Sequence, residues 1–349
     1  MPVSKKQNTG SSKSGQTTLE KLRETGTTIV ADTGDFEMIS QYKPQDSTTN
    51  PTLILKASEK EAYTELVDSV IEKYVTAKKI KTESDVTPEV CEAIFDRILV
   101  AFGEQILKIV PGRVSTEVDA KYSFDKEGSI NKAKEIIKLY EDDGISKERV
   151  LIKLSSTWEG IQAAKVLEKE YGIHVNCTLL FSFPQAVAAA EAGVSLISPF
   201  VGRIMDWYKN TYNKTYTAED DPGVHSVRRI YNYYKKHGYK TIVMGASFRT
   251  VDELKALGGI DFLTISLKLL DELNNSTEDV TRSLDPETAK KEGEDKTSFI
   301  NDESKFRFEL NEDAMTTEKL AEGIRNFAKD AQTLHGIIKD KIISKHINK

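Results

Sequence analysis

Short unbroken apolar runs alternate along this chain with longer stretches in which apolar residues return at helical spacing. The runs at residues 27–31, 46–48, 113–118, 149–154, 174–181, 194–199, 239–244 and 262–265 read as strands. Between them, Tyr63, Leu66, Val67, Val70, Ile71 and Tyr74 share one helical face. Helices are also expected over 18–24, onward from Pro51, over 88–109, through Ala133, Ile136, Ile137 and Tyr140, and over 159–170, 184–192, 204–214, 224–237 and 251–257. A final long helix carries Leu320, Ile324, Phe327, Ala331, Leu334 and Ile338. Residues 275–299 are charged, lack an apolar stripe and read as a long surface loop. Residues 1–16, rich in Ser, Lys, Gly and Gln, read as a disordered tail ahead of one catalytic domain over 17–349.

Strands that alternate with helices imply a parallel sheet with helical crossovers. Eight such units in this length point to an α/β fold, a single (β/α)8 barrel with extra helices and a long C-terminal helix. An open doubly wound sheet would be favoured by a GxGxxG turn, and the chain has none.

With 349 residues, 38% hydrophobic and 30% charged, a globular protein with a sizeable core is expected. The net charge of -6 gives no general attraction to nucleic acid or acidic membranes, so any anion site must be local. No apolar run is long enough to cross a bilayer. Cys91 and Cys177 do not suggest a disulfide framework, which fits a reducing, cytoplasmic setting. His174, His225, His237, His335 and His346 show no metal-ligand spacing, so no metal is expected.

The run Val150-Leu151-Ile152-Lys153-Leu154 sets one lysine among apolar residues on a strand that reads as buried. Burial disfavours an ammonium and favours the neutral amine, the form that makes Schiff bases with carbonyl compounds. Taken by itself, the window favours a lysine at a strand end reaching solvent. Barrel enzymes, however, carry their working residues at the C-terminal ends of strands. Those positions, with the loops that follow, hold Asp32, Glu117, Lys153, Asn176, Thr178, Ser198, Arg203 and Arg249. Each has a plain alternative. Asp32 could be a turn residue, Glu117 a rim ion-pair partner, Asn176 and Thr178 a polar core pair, and the arginines surface charges. Together they describe an amine that can form an iminium, carboxylates that can move protons, polar groups for a polyhydroxylated fragment and two arginines for a phosphate.

Several blocks resemble the signatures of the transaldolase family. They are Val30-Ala31-Asp32-Thr33-Gly34-Asp35, Asp46-Ser47-Thr48-Thr49-Asn50-Pro51, the stretches 111–119 and 151–158, Asn176-Cys177-Thr178-Leu179-Leu180-Phe181-Ser182, Ile197-Ser198-Pro199-Phe200-Val201-Gly202-Arg203 and Met244-Gly245-Ala246-Ser247-Phe248-Arg249. The similarity runs in order from about Leu19 to Lys339. It implies that Lys153 forms the Schiff base with a ketose phosphate and that Asp32 deprotonates the C4 hydroxyl. Glu117 would act through a water held by Thr178. Asn50, Asn176 and Ser198 would hold the retained dihydroxyacetone unit, with Thr48 and Phe200 also lining the substrate site. Arg203, Ser247 and Arg249 would bind phosphate.

The resemblance further implies no cofactor, sugar phosphates as the partners, a homodimer and a place in the non-oxidative pentose phosphate branch. The tail before Leu19 is longer than in compact members, and Ser266-Leu267 stands where many members carry a proline. Two alternatives stay open at this stage. A fructose 6-phosphate aldolase-type lyase on the same fold would use the same lysine, with a tyrosine expected where Phe200 stands. A catalytically silent phosphate-binding barrel would keep the arginines without using the amine.

Overall fold

The computed structural model describes residues 15–348. The tail expected over 1–16 therefore lies almost wholly outside the described residues.

The barrel is closed by eight parallel strands in chain order. They are β1 (Thr28–Asp32), β2 (Asp46–Thr48), β3 (Val114–Glu117), β4 (Val150–Ser155), β5 (Val175–Leu180), β6 (Leu196–Pro199), β7 (Ile242–Gly245) and β8 (Phe262–Ser266), with β8 pairing back onto β1. Ahead of the barrel comes α1 (Thr18–Glu24). Between β2 and β3 lie α2 (Pro51–Ser58), α3 (Glu61–Lys78) and α4 (Pro88–Leu107). The other crossovers are α5 (Lys126–Asp142), α6 (Trp158–Val166), α7 (Phe183–Glu191), then α8 (Gly202–Tyr212) with α9 (Pro222–Lys236), and α10 (Val251–Ala256). After β8 come α11 (Leu267–Asn274), α12 (Pro286–Glu292), α13 (Glu303–Glu312) and the long α14 (Ala314–Ile342).

Local chemistry starts the helices where the pattern places them. Asn50, Thr87 and Asp221 each accept a hydrogen bond from a first-turn amide, and a proline follows each at the start of the helix. Along the strands, the period of two divides inside from outside. Val30, Leu151, Leu196 and Met244 meet in a small apolar cluster of their own. Two residues further along, on the same faces, stand Asp32, Lys153, Ser198 and Ala246. The apolar cluster is thus the floor beneath the polar groups. The alternate residues, among them Ile29, Ala31, Ile152, Leu154, Ile197, Val243, Leu263 and Ile265, join the large core between barrel and helices.

The structure departs from the expected elements in four places. The charged stretch 275–299 contains α12. Its only buried residue is Ala289, so no apolar stripe marks it. It is held instead by its Asp285 cap and by polar contacts to α9, such as Asn232 to Glu292. Helices α11 and α13 are likewise additional. Arg203 lies in the first turn of α8 rather than in a loop. Strand β7 begins at Ile242, and Tyr239 instead packs beside Tyr233 and Tyr234.

Among the described residues, no helix is long and apolar enough to cross a membrane. No group of three or more His, Cys, Asp or Glu is placed to hold a metal ion among them either. Both cysteines are buried and free.

Candidate active site

Strand register sets the centre of the site. Glu117, Lys153 and Asn176 are direct partners across β3, β4 and β5. All three are buried. The Lys153 Nζ donates to the Thr49 carbonyl at 3.1 Å and stands 3.2 Å from Glu117 Oε2. That second contact is an ion pair without hydrogen-bond alignment, and neither Glu117 oxygen has a hydrogen-bond partner among the described residues. The buried Thr178 hydroxyl is also without one. Burial pushes the Glu117 carboxyl up, against the charges of Lys153 and Arg203.

On the other side of the barrel, Asp32 ends β1 and faces the cavity. Its Oδ1 accepts a hydrogen bond from the Thr48 hydroxyl at 2.8 Å. Burial raises its pKa, while Lys153, the Thr48 hydrogen bond and Arg203 oppose the rise. Asp32 and Lys153 both line a cavity of about 170 Å³, together with Thr48, Asn50, Ser198 and Phe200 on its walls.

The rim of that cavity is formed by Arg203, Ser247 and Arg249. Glycine brings these two segments together: the Gly202 amide donates to the Ser247 carbonyl at 2.7 Å, and a Cβ on Gly202 would lie 2.6 Å from that oxygen. Ser247 itself sits at a φ of 59°, a left-handed conformation rare outside glycine and found at functional turns. Arg203 is sandwiched by the rings of Phe200 and Phe327, at 4.9 and 5.5 Å from their centroids. Burial lowers its pKa, and Arg249 lowers it further. Arg249 is half-exposed and aligned by Asp206, whose Oδ2 accepts from Nε at 3.0 Å and Nη2 at 2.7 Å. Two cations at one rim, one of them aligned by an acid, suit a phosphate.

Nine of the twelve expected residues line the cavity itself. Glu117, Asn176 and Thr178 lie buried behind it. Asn176 donates one hydrogen bond to Ser115 Oγ at 3.1 Å and accepts one from Ser198 Oγ at 2.7 Å, which leaves its second amide N–H for a ligand. Asn50 accepts from the Leu53 amide with Oδ1, which leaves its Nδ2 for a ligand. Two participants were not foreseen. Asp206 follows Arg203 on α8. Thr264 lies on β8 and lines the cavity, but a threonine in a strand gives no sequence signal of its own.

A sequence model of the Transaldolase/Fructose-6-phosphate aldolase family matches residues 29–338. The chain is 66% identical over 324 residues to a transaldolase of Kluyveromyces lactis, covering 93% of this chain and 95% of that one. It is 61% identical over 341 residues to a Saccharomyces cerevisiae transaldolase, covering 98% of each. A Rattus norvegicus transaldolase is 54% identical over 330 residues, covering 94% of this chain and 95% of its own. A family match over most of the chain and near-complete alignment with such relatives agree with the barrel: the chain belongs to the transaldolase family and is a transferase of aldehyde or ketone residues.

Proposed function

We propose that the chain moves a dihydroxyacetone unit between sugar phosphates through a Schiff base on Lys153. The observation that carries this reading is an amine buried inside the barrel, 3.2 Å from one carboxylate and sharing its cavity with a second. The donor is sedoheptulose 7-phosphate or fructose 6-phosphate. The acceptor is glyceraldehyde 3-phosphate or erythrose 4-phosphate.

The Lys153 amine adds to the ketone carbon, and loss of water gives an iminium. Glu117, with a water held by the Thr178 hydroxyl, passes the protons that this addition and dehydration require. The free lone pairs of both groups support that role. Asp32 then takes the proton of the C4 hydroxyl. The O–H pair becomes the carbonyl of the departing aldose phosphate, and the C3–C4 pair flows into the iminium to give an enamine. An acceptor aldehyde takes up that pair, Asp32 returns its proton, and hydrolysis frees Lys153. Asn50 and Ser198 hold the retained unit, with Asn176 fixing Ser198 from behind. Arg203, Ser247 and Arg249 bind the phosphate. The apolar Phe200, which shares the cavity with the amine, favours holding the enamine over releasing free dihydroxyacetone.

The test is borohydride reduction in the presence of fructose 6-phosphate, read by peptide mass spectrometry. A dihydroxyacetone adduct on Lys153 is expected, and without borohydride, added erythrose 4-phosphate should yield sedoheptulose 7-phosphate and glyceraldehyde 3-phosphate. Absence of any adduct on the intact protein would remove the Schiff-base reading, and accumulation of free dihydroxyacetone would favour a lyase. On the resemblance alone, we also assign the chain to the non-oxidative pentose phosphate branch as a homodimer, and on its two unpaired cysteines to the cytoplasm. Light scattering on the purified chain checks the dimer.

A further inference from the structure

We propose that Thr264 of β8 is a positioning residue for Asp32, acting through the hydroxyl of Thr48. The inference rests on the reading of Asp32 as the base that takes the C4 proton.

The Thr48 and Thr264 hydroxyls are 2.5 Å apart, and Thr48 Oγ1 is 2.8 Å from Asp32 Oδ1. Both threonines are buried, at 2% and 4% exposure, so water does not compete freely for these groups. Proton counting sets the direction of the chain. An ionised carboxylate only accepts, so Thr48 donates to Asp32. A hydroxyl has one proton, so Thr48 cannot also donate to Thr264. The short contact must therefore run from Thr264 to Thr48. A hydroxyl that accepts one hydrogen bond is a stronger donor of the next.

Register explains how the chain is assembled. Strands β2 and β8 flank β1 on opposite sides; Thr48 is level with Asp32, and Thr264 is level with Val30. The two threonines reach each other across β1, between the apolar floor and the carboxylate. This bracket does two things. It pins Oδ1, leaving Oδ2 for the substrate hydroxyl. It also supplies a polarised donor that holds Asp32 ionised against the desolvation of the site. A threonine that merely filled space would need no hydroxyl contact of this kind, and valine would serve equally.

The test compares Thr264→Val and Thr264→Ser with the intact chain, measuring dihydroxyacetone transfer from fructose 6-phosphate to erythrose 4-phosphate across pH. With Val, the acid limb of kcat should move to higher pH, with a loss of roughly three- to tenfold on that limb and less on the plateau. Thr264 borders the cavity at only 4% exposure and acts through Thr48, so KM for fructose 6-phosphate should stay within about twofold. Ser keeps the donor and should restore both limb and rate. If Val does not fold, Thr264→Ala read against Thr264→Ser makes the same comparison. An unmoved limb, or a Ser variant impaired like Val, would overturn the proposal. Asp32→Asn separates the two layers of argument. If it still turns over, the base reading itself falls. If it traps the Lys153 adduct but transfers nothing while Val leaves the limb unmoved, only the role of Thr264 is lost.

Discussion

Lys153 occupies a place where a leucine or valine would pack without difficulty, between Ile152 and Leu154 and two residues beyond Leu151. Its neighbours make the substitution tolerable: one carboxylate and one carbonyl share the amine. Lys153→Ala should abolish transfer and adduct trapping yet remain folded, with a stability change of no more than about 3 kcal/mol, because Glu117 can take up a proton once unpaired. Circular dichroism and denaturant melts check this, and an unfolded variant would instead give Lys153 a structural task. At the rim, Arg249→Ala removes one of two cations. It should raise KM for phosphorylated substrates by roughly ten- to a hundredfold, the size of a charge-assisted hydrogen bond, and leave unphosphorylated sugars little changed. Equal loss with both would detach Arg249 from phosphate. The two arginines, the lysine and Asp32 were legible because charged residues at the ends of apolar runs stand out. Thr264 was not, since a hydroxyl is ordinary in a strand and only its partner reveals its use.

At the scale of elements, the turn carrying Arg249 is tied to two helix starts. Glu253, in the first turn of α10, accepts from the Arg249 amide at 2.6 Å and the Thr250 amide at 3.1 Å. Asp221, the cap of α9, faces the same carboxyl. Both acids are buried. Burial pushes Glu253 up to about 7, the two amides oppose the rise, and Asp221 adds to it. A carboxyl raised by folding binds its proton more tightly in the native state than in the unfolded one. Its contribution is therefore complete below the unfolded value of about 4.5 and is lost as pH rises through the folded value. Thermal melts should show the midpoint falling by a few degrees between pH 5 and pH 8 (values of the order set by ordinary carboxylate and raised-carboxylate titration). Glu253→Gln, which stays uncharged, should flatten that fall, and an unchanged slope would place the titration elsewhere. Helix α12 illustrates the limit of pattern reading at this scale. A cap, one buried alanine and polar contacts to α9 suffice to form it, and none of these leaves a periodic trace.

Across the whole molecule, α14 joins regions far apart in sequence. Its Ala331, Leu334, Ile338 and Ile342 complete the core of α2, α3 and α4. Its Met315, Leu320, Ile324 and Phe327 pack at the barrel mouth with Leu179, Phe181, Phe200 and Ile204. Phe327→Ala should thus act twice: a loss of about 3 kcal/mol in stability from the vacated volume, and a raised KM for phosphorylated substrates as Arg203 loses one of its two rings. A purely global effect would lower stability and leave KM unmoved. The barrel was readable from the alternation of elements, and the long helix from its apolar stripe. That the stripe serves two cores was not, because the seam between them depends on where the chain returns. Register has one more consequence. Glu117, Lys153 and Asn176 are spaced by the backbone ladder itself, so the distance between reacting groups is inherited from sheet geometry. Insertions at the rim could retune which aldehyde is welcomed while the bond-breaking apparatus stays in tolerance, and evolution could vary the two independently.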